Sequence, residues 1–195
     1  MKTQAAAGAW SEKKSSSSIE RGAGAGAAQT RQLLLLIGLG AAIPVLHALL
    51  HWPLRLPGHH GLEYMALMMF GRTVVDQRWA ALIIATSAAV TSFIPVFGFN
   101  ELGMRFSFLL AGLTVDLLYR YVSWRNPIVL AAMAALAHAT KPLWKWAAAT
   151  GWNLKFGSLA SGVGFPLMTH LCFGFVGGMI GVLLGRATNR MLKKS

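Results

Sequence analysis

Six apolar stretches separated by short polar segments run along the chain from residue 33 onward. The clearest lies within residues 157–185, where no Asp, Glu, Lys or Arg occurs. Roughly 20 apolar residues cross the hydrocarbon core of a bilayer, and a run of 18 or more without charge is typical of a transmembrane helix. The pattern therefore predicts an all-α fold, an integral membrane helical bundle of about six transmembrane helices.

The six predicted spans have unequal lengths. They cover residues 33–50, 62–70, 80–97, 106–122, 127–149 and 166–185. The second is the shortest and carries Glu63 at its start. It crosses a bilayer only if it tilts, thins the membrane around it or extends through the residues that follow, and it is otherwise re-entrant.

Composition divides the chain into one membrane domain and two tails. Residues 1–31 are rich in Ala, Gly and Ser, which predicts a disordered basic cytoplasmic tail. Residues 32–187 form the predicted polytopic membrane domain, and residues 188–195 form a short basic cytoplasmic tail. Only 12% of the residues are charged, against about 25% in a soluble domain. No second folded domain is expected.

The net charge of +12 lies mainly between the apolar segments and in the tails. In a soluble protein this charge would suggest a nucleic-acid partner, but here it indicates membrane orientation and attraction to anionic membrane lipid. Lys and Arg are more numerous on the side that holds both tails. We therefore expect both termini in the cytoplasm and the chain in the cell (inner) membrane, without nucleic acid.

Small residues recur at intervals of four in two of the predicted spans. The last span has Gly174, Gly178 and Gly181, and the first has Gly38 and Ala42. Such spacing lets helix backbones approach closely. These positions are therefore candidates for partner-helix packing, and the alternative is packing within the monomer.

Four histidines and a carboxylate crowd the predicted outer end of the first two spans. They are His47, His51, His59, His60 and Glu63. Imidazole and carboxylate suit a divalent transition metal, so the four histidines are candidate metal ligands. Hydrogen bonding to a solute, or plain loop structure, is the alternative.

Other polar residues are candidates for binding a solute. His138 and His170 lie deep in the last two spans, where each needs a polar partner. The full candidate set for a solute pocket is His138, His170, Trp152, Asn153, Glu63 and Glu101.

The fourth predicted span contains one carboxylate, Asp116. Asp116 precedes Arg120 by four residues, which predicts an ion pair on one helix face.

The chain has no H-E-x-x-H, no G-x-x-x-x-G-K-[ST] and no G-x-S-x-G motif. We therefore expect no enzyme and no resident cofactor, and any ATP-driven step would need another chain.

Two segments carry a resemblance to a known family. Residues 110–119 (LAGLTVDLLY) and 170–181 (HLCFGFVGGMIG), in a chain with six predicted spans, resemble the S component of an energy-coupling factor (ECF) transporter. The resemblance covers residues 33–185. It implies an outward-facing pocket for a vitamin or metal ion, with a transmembrane coupling subunit and ATPase subunits as partners. The counterpart of the family's alanine motif lies at Gly38 and Ala42, and the histidine start of its cobalt and nickel members is absent.

Three hypotheses follow from the sequence. The first is a membrane-embedded substrate-binding subunit that imports a small, vitamin-like solute, powered by ATPases on other chains. The second is a membrane assembly or scaffold protein that binds partner helices through its small-residue faces. The third is an intramembrane enzyme that holds a metal at His47, His51, His59 and Glu63.

Overall fold

The chain folds into helices joined by short connections. The computed structural model describes the backbone of residues 4–50, 56–97, 102–122, 126–152, 156, 159 and 162–194, and the side chains of these except 4–25, 97, 102 and 104. The described residues form six α-helices and no strand, which confirms the all-α class. The helices are α1 (Gln4–Leu50), α2 (Gly61–Val74), α3 (Ala80–Thr91), α4 (Leu102–Tyr121), α5 (Pro127–Trp152) and α6 (Gly164–Leu192).

The chain divides into two compact units, Met1–Leu35 and Leu36–Ser195. All contacts discussed below lie within the second unit. The helix α1 begins at Gln4, but the side chains before Gly26 are outside the described part, and the disorder expected for residues 1–31 stays a prediction. At the other end, α6 continues to Leu192 and so includes most of the short basic tail.

Two of the described helical segments are long and apolar enough to cross a membrane, namely Gly26–Leu50 and Gly164–Leu192. The helices α2 and α3 have 14 and 12 residues, or about 21 and 18 Å at 1.5 Å per residue. Both are shorter than a hydrocarbon core of about 30 Å. A crossing of the bilayer by all six helices therefore stays a prediction.

Helix α6 packs against both α2 and α5, and its glycines face them. A Cβ atom added at Gly178 would collide with Ala134 of α5, and one at Gly181 would collide with the Ala66 carbonyl oxygen of α2. Gly174 is equally close to α5, because its added Cβ would lie 3.0 Å from the Cα of Ala135. For these three glycines the structure supports packing within the monomer, because the neighbours they need are other helices of the same chain.

Helix α1 uses one of its glycines in the same way. Gly40 lies against the Ile84 carbonyl of α3, where an added Cβ would collide. Nearby, the Ser87 hydroxyl donates a hydrogen bond to the Ile37 carbonyl at 2.7 Å. Gly38, by contrast, has no described heavy atom within 4 Å of an added Cβ. The two glycines therefore differ, since only Gly40 is occupied by packing within the chain.

A fully buried carboxylate joins α2, α3 and α4. Asp116 accepts hydrogen bonds from the amides of Ala81 and Leu82 in the first turn of α3, at 3.3 and 2.8 Å. Its Oδ1 also lies 3.2 Å from Nε of Arg72 on α2. The expected pairing with Arg120 is replaced, because the Arg120 guanidinium stacks 4.1 Å from the Trp79 ring. A sequence separation of four favours Arg120, but the tertiary fold brings Arg72 into direct contact.

We predict that Gly181→Leu destabilises the bundle, because the new side chain must displace the α2 backbone at Ala66. Overpacking of a tight contact costs on the order of 1–3 kcal/mol, and a backbone neighbour cannot yield as a side chain can. Thermal unfolding of the detergent-solubilised protein measures this. Gly164→Leu is the matched control, because nothing described lies within 4 Å of an added Cβ there. Equal melting temperatures for the two variants would contradict the packing described for α6.

We predict that Asp116→Asn destabilises the protein strongly, because it leaves the buried Arg72 without its counter-charge. Breaking a buried ion pair from one side costs about 3–5 kcal/mol. Arg120→Gln is the control, since Arg120 does not carry the ion pair and the residue is exposed. Chemical denaturation measures the free energy of unfolding of both variants. A larger loss of stability in Arg120→Gln than in Asp116→Asn would support the Asp116–Arg120 pairing expected from the sequence.

Candidate functional site

A small, partly open cavity lies where the ends of α1 and α2 meet α4 and α5. We call it the chamber, and its lining residues are Ile43, His47, His60, Glu63, Tyr64, Ser107, Phe108, Ala111, His138 and Lys141. Its volume is about 20 Å³. A cavity needs at least about 10–15 Å³ on this measure to hold one water molecule. The chamber therefore has room for one water-sized occupant.

Local sequence explains how the polar groups reach the chamber. Gly58 has φ of +85°, a backbone conformation that favours glycine, and it begins the turn that leads into α2. The turn ends at His60, and Glu63 follows in the first turn of α2. Residues three apart on a helix are neighbours, so the His60 and Glu63 side chains meet. His47 arrives from the last turn of α1.

His47, His60 and Glu63 form a compact group that we call the His-Glu triad. Oε1 of Glu63 lies 3.3 Å from Nδ1 of His60 and 3.5 Å from Nδ1 of His47. One ligand atom from each residue falls within 4.8 Å of the other two. The rings of His47 and His60 meet edge to face with centroids 3.9 Å apart. Both imidazoles thus converge on one oxygen of a single carboxylate.

The second oxygen of that carboxylate is left without a partner. Glu63 is only 6% exposed, and its Oε2 has no hydrogen-bond partner in the described part of the chain. Leaving a buried polar atom unsatisfied costs about 1–3 kcal/mol, and more for a charged group. Such atoms in a folded protein call for a specific explanation, and a ligand is one of those.

The electrostatics of the chamber are mixed. Burial lowers the pKa of the His60 imidazole, and the hydrogen bond with Glu63 opposes that shift. A neutral ring keeps a lone pair that can bind a metal ion. Lys141 also lines the chamber and brings a positive charge from α5. The site therefore combines a carboxylate, imidazole nitrogens and the Lys141 ammonium.

The far wall of the chamber is held by an aromatic pair. The Tyr64 hydroxyl donates a hydrogen bond of 2.9 Å to the Phe108 carbonyl of α4. The two rings meet edge to face, with centroids 4.9 Å apart. This contact joins α2 to α4, and both residues line the chamber.

His138 and His170 hold the turn that carries His60. Nε2–H of His138 donates to the Gly58 carbonyl at 3.2 Å, and the His138 and His170 rings stack with centroids 4.7 Å apart. An added Cβ on Gly61 would collide with the His138 ring, and one on Gly58 would lie 2.6 Å from Nδ1 of His170. Nδ1–H of His170 itself donates to the Pro166 carbonyl at 2.7 Å. Both deep histidines thus have hydrogen-bond partners within this chain, and both contact the turn that precedes α2.

The structure separates the residues expected to line one solute pocket. Glu63 and His138 line the chamber, whereas His170 lines a second, neighbouring cavity of about 110 Å³ with Pro57 and Lys145. Trp152 lies away from the chamber, is 65% exposed and packs on Trp144 with centroids 5.7 Å apart. The remaining expected site residues, Glu101, Asn153 and His51, lie outside the described residues.

The expected histidine cluster divides as well. His47 and His60 belong to the His-Glu triad, whereas Nδ1–H of His59 donates to the Leu56 carbonyl at 2.6 Å. Sequence reasoning missed Tyr64, Ser107 and Lys141 as chamber residues. The sequence could have indicated Lys141, because this residue follows His138 by three positions and therefore shares its helix face. No sequence pattern indicated Ser107, because its helix meets the other helices only in the folded chain.

Comparison with known proteins gives no match to any protein-family model, curated protein or solved structure.

We predict that His138→Ala loosens the turn before α2, because the Gly58 carbonyl loses its donor and the ring that touches Gly61 disappears. The lost hydrogen bond alone is worth on the order of 1–3 kcal/mol. Hydrogen exchange of a peptide covering residues 56–64 should quicken. Trp152→Ala is the control, because that exposed side chain does not touch the turn, and unchanged exchange in both variants would refute the role given to His138.

Proposed function

We propose that this chain is an integral membrane protein that binds a small solute, as the substrate-binding subunit of a transporter whose ATPases are other chains. The observation that carries the proposal is the chamber, a small cavity in the helical bundle whose lining includes Glu63, Lys141 and three histidines. Polar and ionisable groups are expensive inside a membrane and by default mark a binding or transport site. We further propose that the protein works in the cell membrane with both termini in the cytoplasm.

The arrangement of small residues supports a transport subunit better than a scaffold. A scaffold that binds partners through the glycines of α6 needs those glycines exposed, but Gly174, Gly178 and Gly181 are occupied by α5 and α2. Gly38 on α1 is different, because its surface has no described neighbour. A transmembrane coupling subunit, as the resemblance to ECF S components implies, would then dock on the face of α1 that holds Gly38 and Ala42.

The proposal is tested by purifying the full chain from its native membranes with mild detergent and identifying what accompanies it. We expect a transmembrane coupling subunit and ATPase subunits, held in a fixed ratio to the chain. Reconstituted vesicles containing all partners should then show ATP-dependent uptake. A chain that purifies without an ATPase, or whose vesicles show no ATP-dependent uptake of any retained solute, would contradict a transport function.

We predict that Gly38→Leu reduces co-purification of the coupling subunit at least about tenfold, because the side chain blocks close approach of a partner helix. The fold should tolerate the change, since nothing described lies within 4 Å of an added Cβ. Gly164→Leu is the matched control, since the same substitution enters open space on another helix. Quantitative mass spectrometry of the purified complexes checks both. Retained partners in Gly38→Leu would move the docking surface elsewhere.

A further inference from the structure

We infer that the His-Glu triad binds one divalent transition-metal ion, with His47 and His60 supplying nitrogen ligands and Glu63 an oxygen ligand. The site itself needs no assumption about transport. The additional step, that this ion is the solute the protein captures, rests on the function proposed above.

The spacing of the triad fits a metal ion. Four ligands placed tetrahedrally at 2.0–2.2 Å from a metal are about 3.3–3.6 Å from one another. Oε1 of Glu63 lies 3.3 and 3.5 Å from Nδ1 of His60 and His47, and one ligand atom from each of the three residues lies within 4.8 Å of the others. The two separations from Glu63 therefore fit a metal ion, and each imidazole binds through Nδ1 once its proton is on Nε2. A fourth ligand position remains for water or another group.

The unpartnered oxygen of Glu63 is an independent reason to expect a cation. Its Oε2 is buried and accepts no hydrogen bond in the described part of the chain. Two imidazole donors already share Oε1, so further hydrogen bonding within the triad does not relieve Oε2. A carboxylate that turns to bind a metal ion satisfies the second oxygen, either directly or through a metal-bound water.

The ligand types narrow the choice of ion. Two imidazoles with one carboxylate suit Zn²⁺, Co²⁺, Ni²⁺ and Cu²⁺, whereas Mg²⁺ and Ca²⁺ prefer sites made of oxygen atoms. Affinity among the suited ions rises from Co²⁺ to Cu²⁺. The triad therefore selects a transition metal over the common alkaline-earth ions.

The size of the chamber separates an ion from an organic solute. A volume of about 20 Å³ holds one water-sized occupant, whereas pockets for drug-sized ligands are about 300–1,000 Å³. Lys141 is the one chamber residue that disfavours a cation and favours an anion. The buried Glu63 opposes an anion equally strongly, and its unpartnered oxygen decides for the cation.

Metal titration of the purified full chain, without an affinity tag, tests the site. The probe is Co²⁺, whose visible absorption reports the geometry and number of its ligands, followed by displacement with Zn²⁺. We expect one Co²⁺ per chain, an absorption spectrum typical of nitrogen and oxygen ligands in four-coordinate geometry, and no displacement by millimolar Mg²⁺. No binding, or displacement by Mg²⁺, would overturn the assignment.

Three variants locate the ion. Glu63→Gln and His60→Gln should each weaken Co²⁺ binding at least about tenfold. His59→Gln is the comparison, because His59 donates to the Leu56 carbonyl and only its ring contacts His60, with centroids 3.6 Å apart, so Co²⁺ affinity should fall less than in His60→Gln. If Glu63→Gln does not fold, the part-exposed His60 decides. Equal weakening by His59→Gln, or none by His60→Gln, would place the ion elsewhere.

Lys141→Met tests the sign of the ligand's charge. Removal of a positive charge beside the chamber should tighten Co²⁺ binding, whereas weaker binding would contradict a cation held in the chamber and overturn the proposal. Failure of the metal site and failure of transport are distinguishable. Co²⁺ binding is measured on the isolated chain, and ATP-dependent uptake requires the partners. Binding without partner ATPases would leave the metal site standing and refute only the cargo role.

Discussion

Glycine allows α6 to touch the backbones of two helices at once. Gly174 and Gly178 meet α5, while Gly177 and Gly181 meet α2. No other residue type permits such a close approach, and a Cβ at any of these positions would require a neighbour to shift. Because α2 and α5 are held this near to α6, Gly61 at the start of α2 lies against His138, and Gly58 in the preceding turn lies against His170. The geometry of the chamber thus depends on packing that occurs about one to three turns further along α6.

Each end of α2 carries a buried charged side chain, and the two side chains differ in how fully their charges and polar atoms are partnered. At its C-terminal end, Arg72 is neutralised by Asp116, which also receives two backbone amides of α3. The Arg72 guanidinium additionally stacks 3.8 Å from the Tyr119 ring. At its N-terminal end, Glu63 has one oxygen contacted by two histidines and the other unsatisfied. The first end is neutralised within the protein by its ion pair, although Nε of Arg72 makes no hydrogen bond in the described part of the chain. The second end has an unpartnered carboxylate oxygen beside two histidines and so has the features of a binding site.

Hydrophobic patterning predicted the elements of this fold more accurately than their contacts. The bounds of α2, α4 and α5 agree with the expected spans within a few residues, because apolar runs bounded by Pro, Gly and charge define helix ends locally. The glycine spacing of α6 correctly indicated close helix packing. It did not indicate the neighbours, since these are set by tertiary topology. The same limit explains why Arg120 was expected beside Asp116 in place of Arg72.

The candidate site was predictable only in part. The proximity of His47, His60 and Glu63 follows from a short hairpin connection, which the sequence displays directly. The roles of His138 and His170 did not follow, because their contacts with Gly58 and Gly61 join residues about 80 or more positions apart. The Tyr64–Phe108 contact in the chamber lining was equally hidden, since it joins residues 44 positions apart on two different helices.

The contact between glycine and histidine also constrains how this sequence can evolve. Gly61 lies against the His138 ring, and Gly58 lies against His170, so neither glycine can acquire a side chain while its histidine keeps its place. Positions 61 and 138 are therefore free to change only together, and among natural variants of this protein a larger residue at 61 should be accompanied by a smaller one at 138. Gly58 should stay glycine whatever residue occupies position 170, because its φ of +85° also excludes a side chain. Such paired substitutions among variants would indicate this contact, which a single sequence does not reveal.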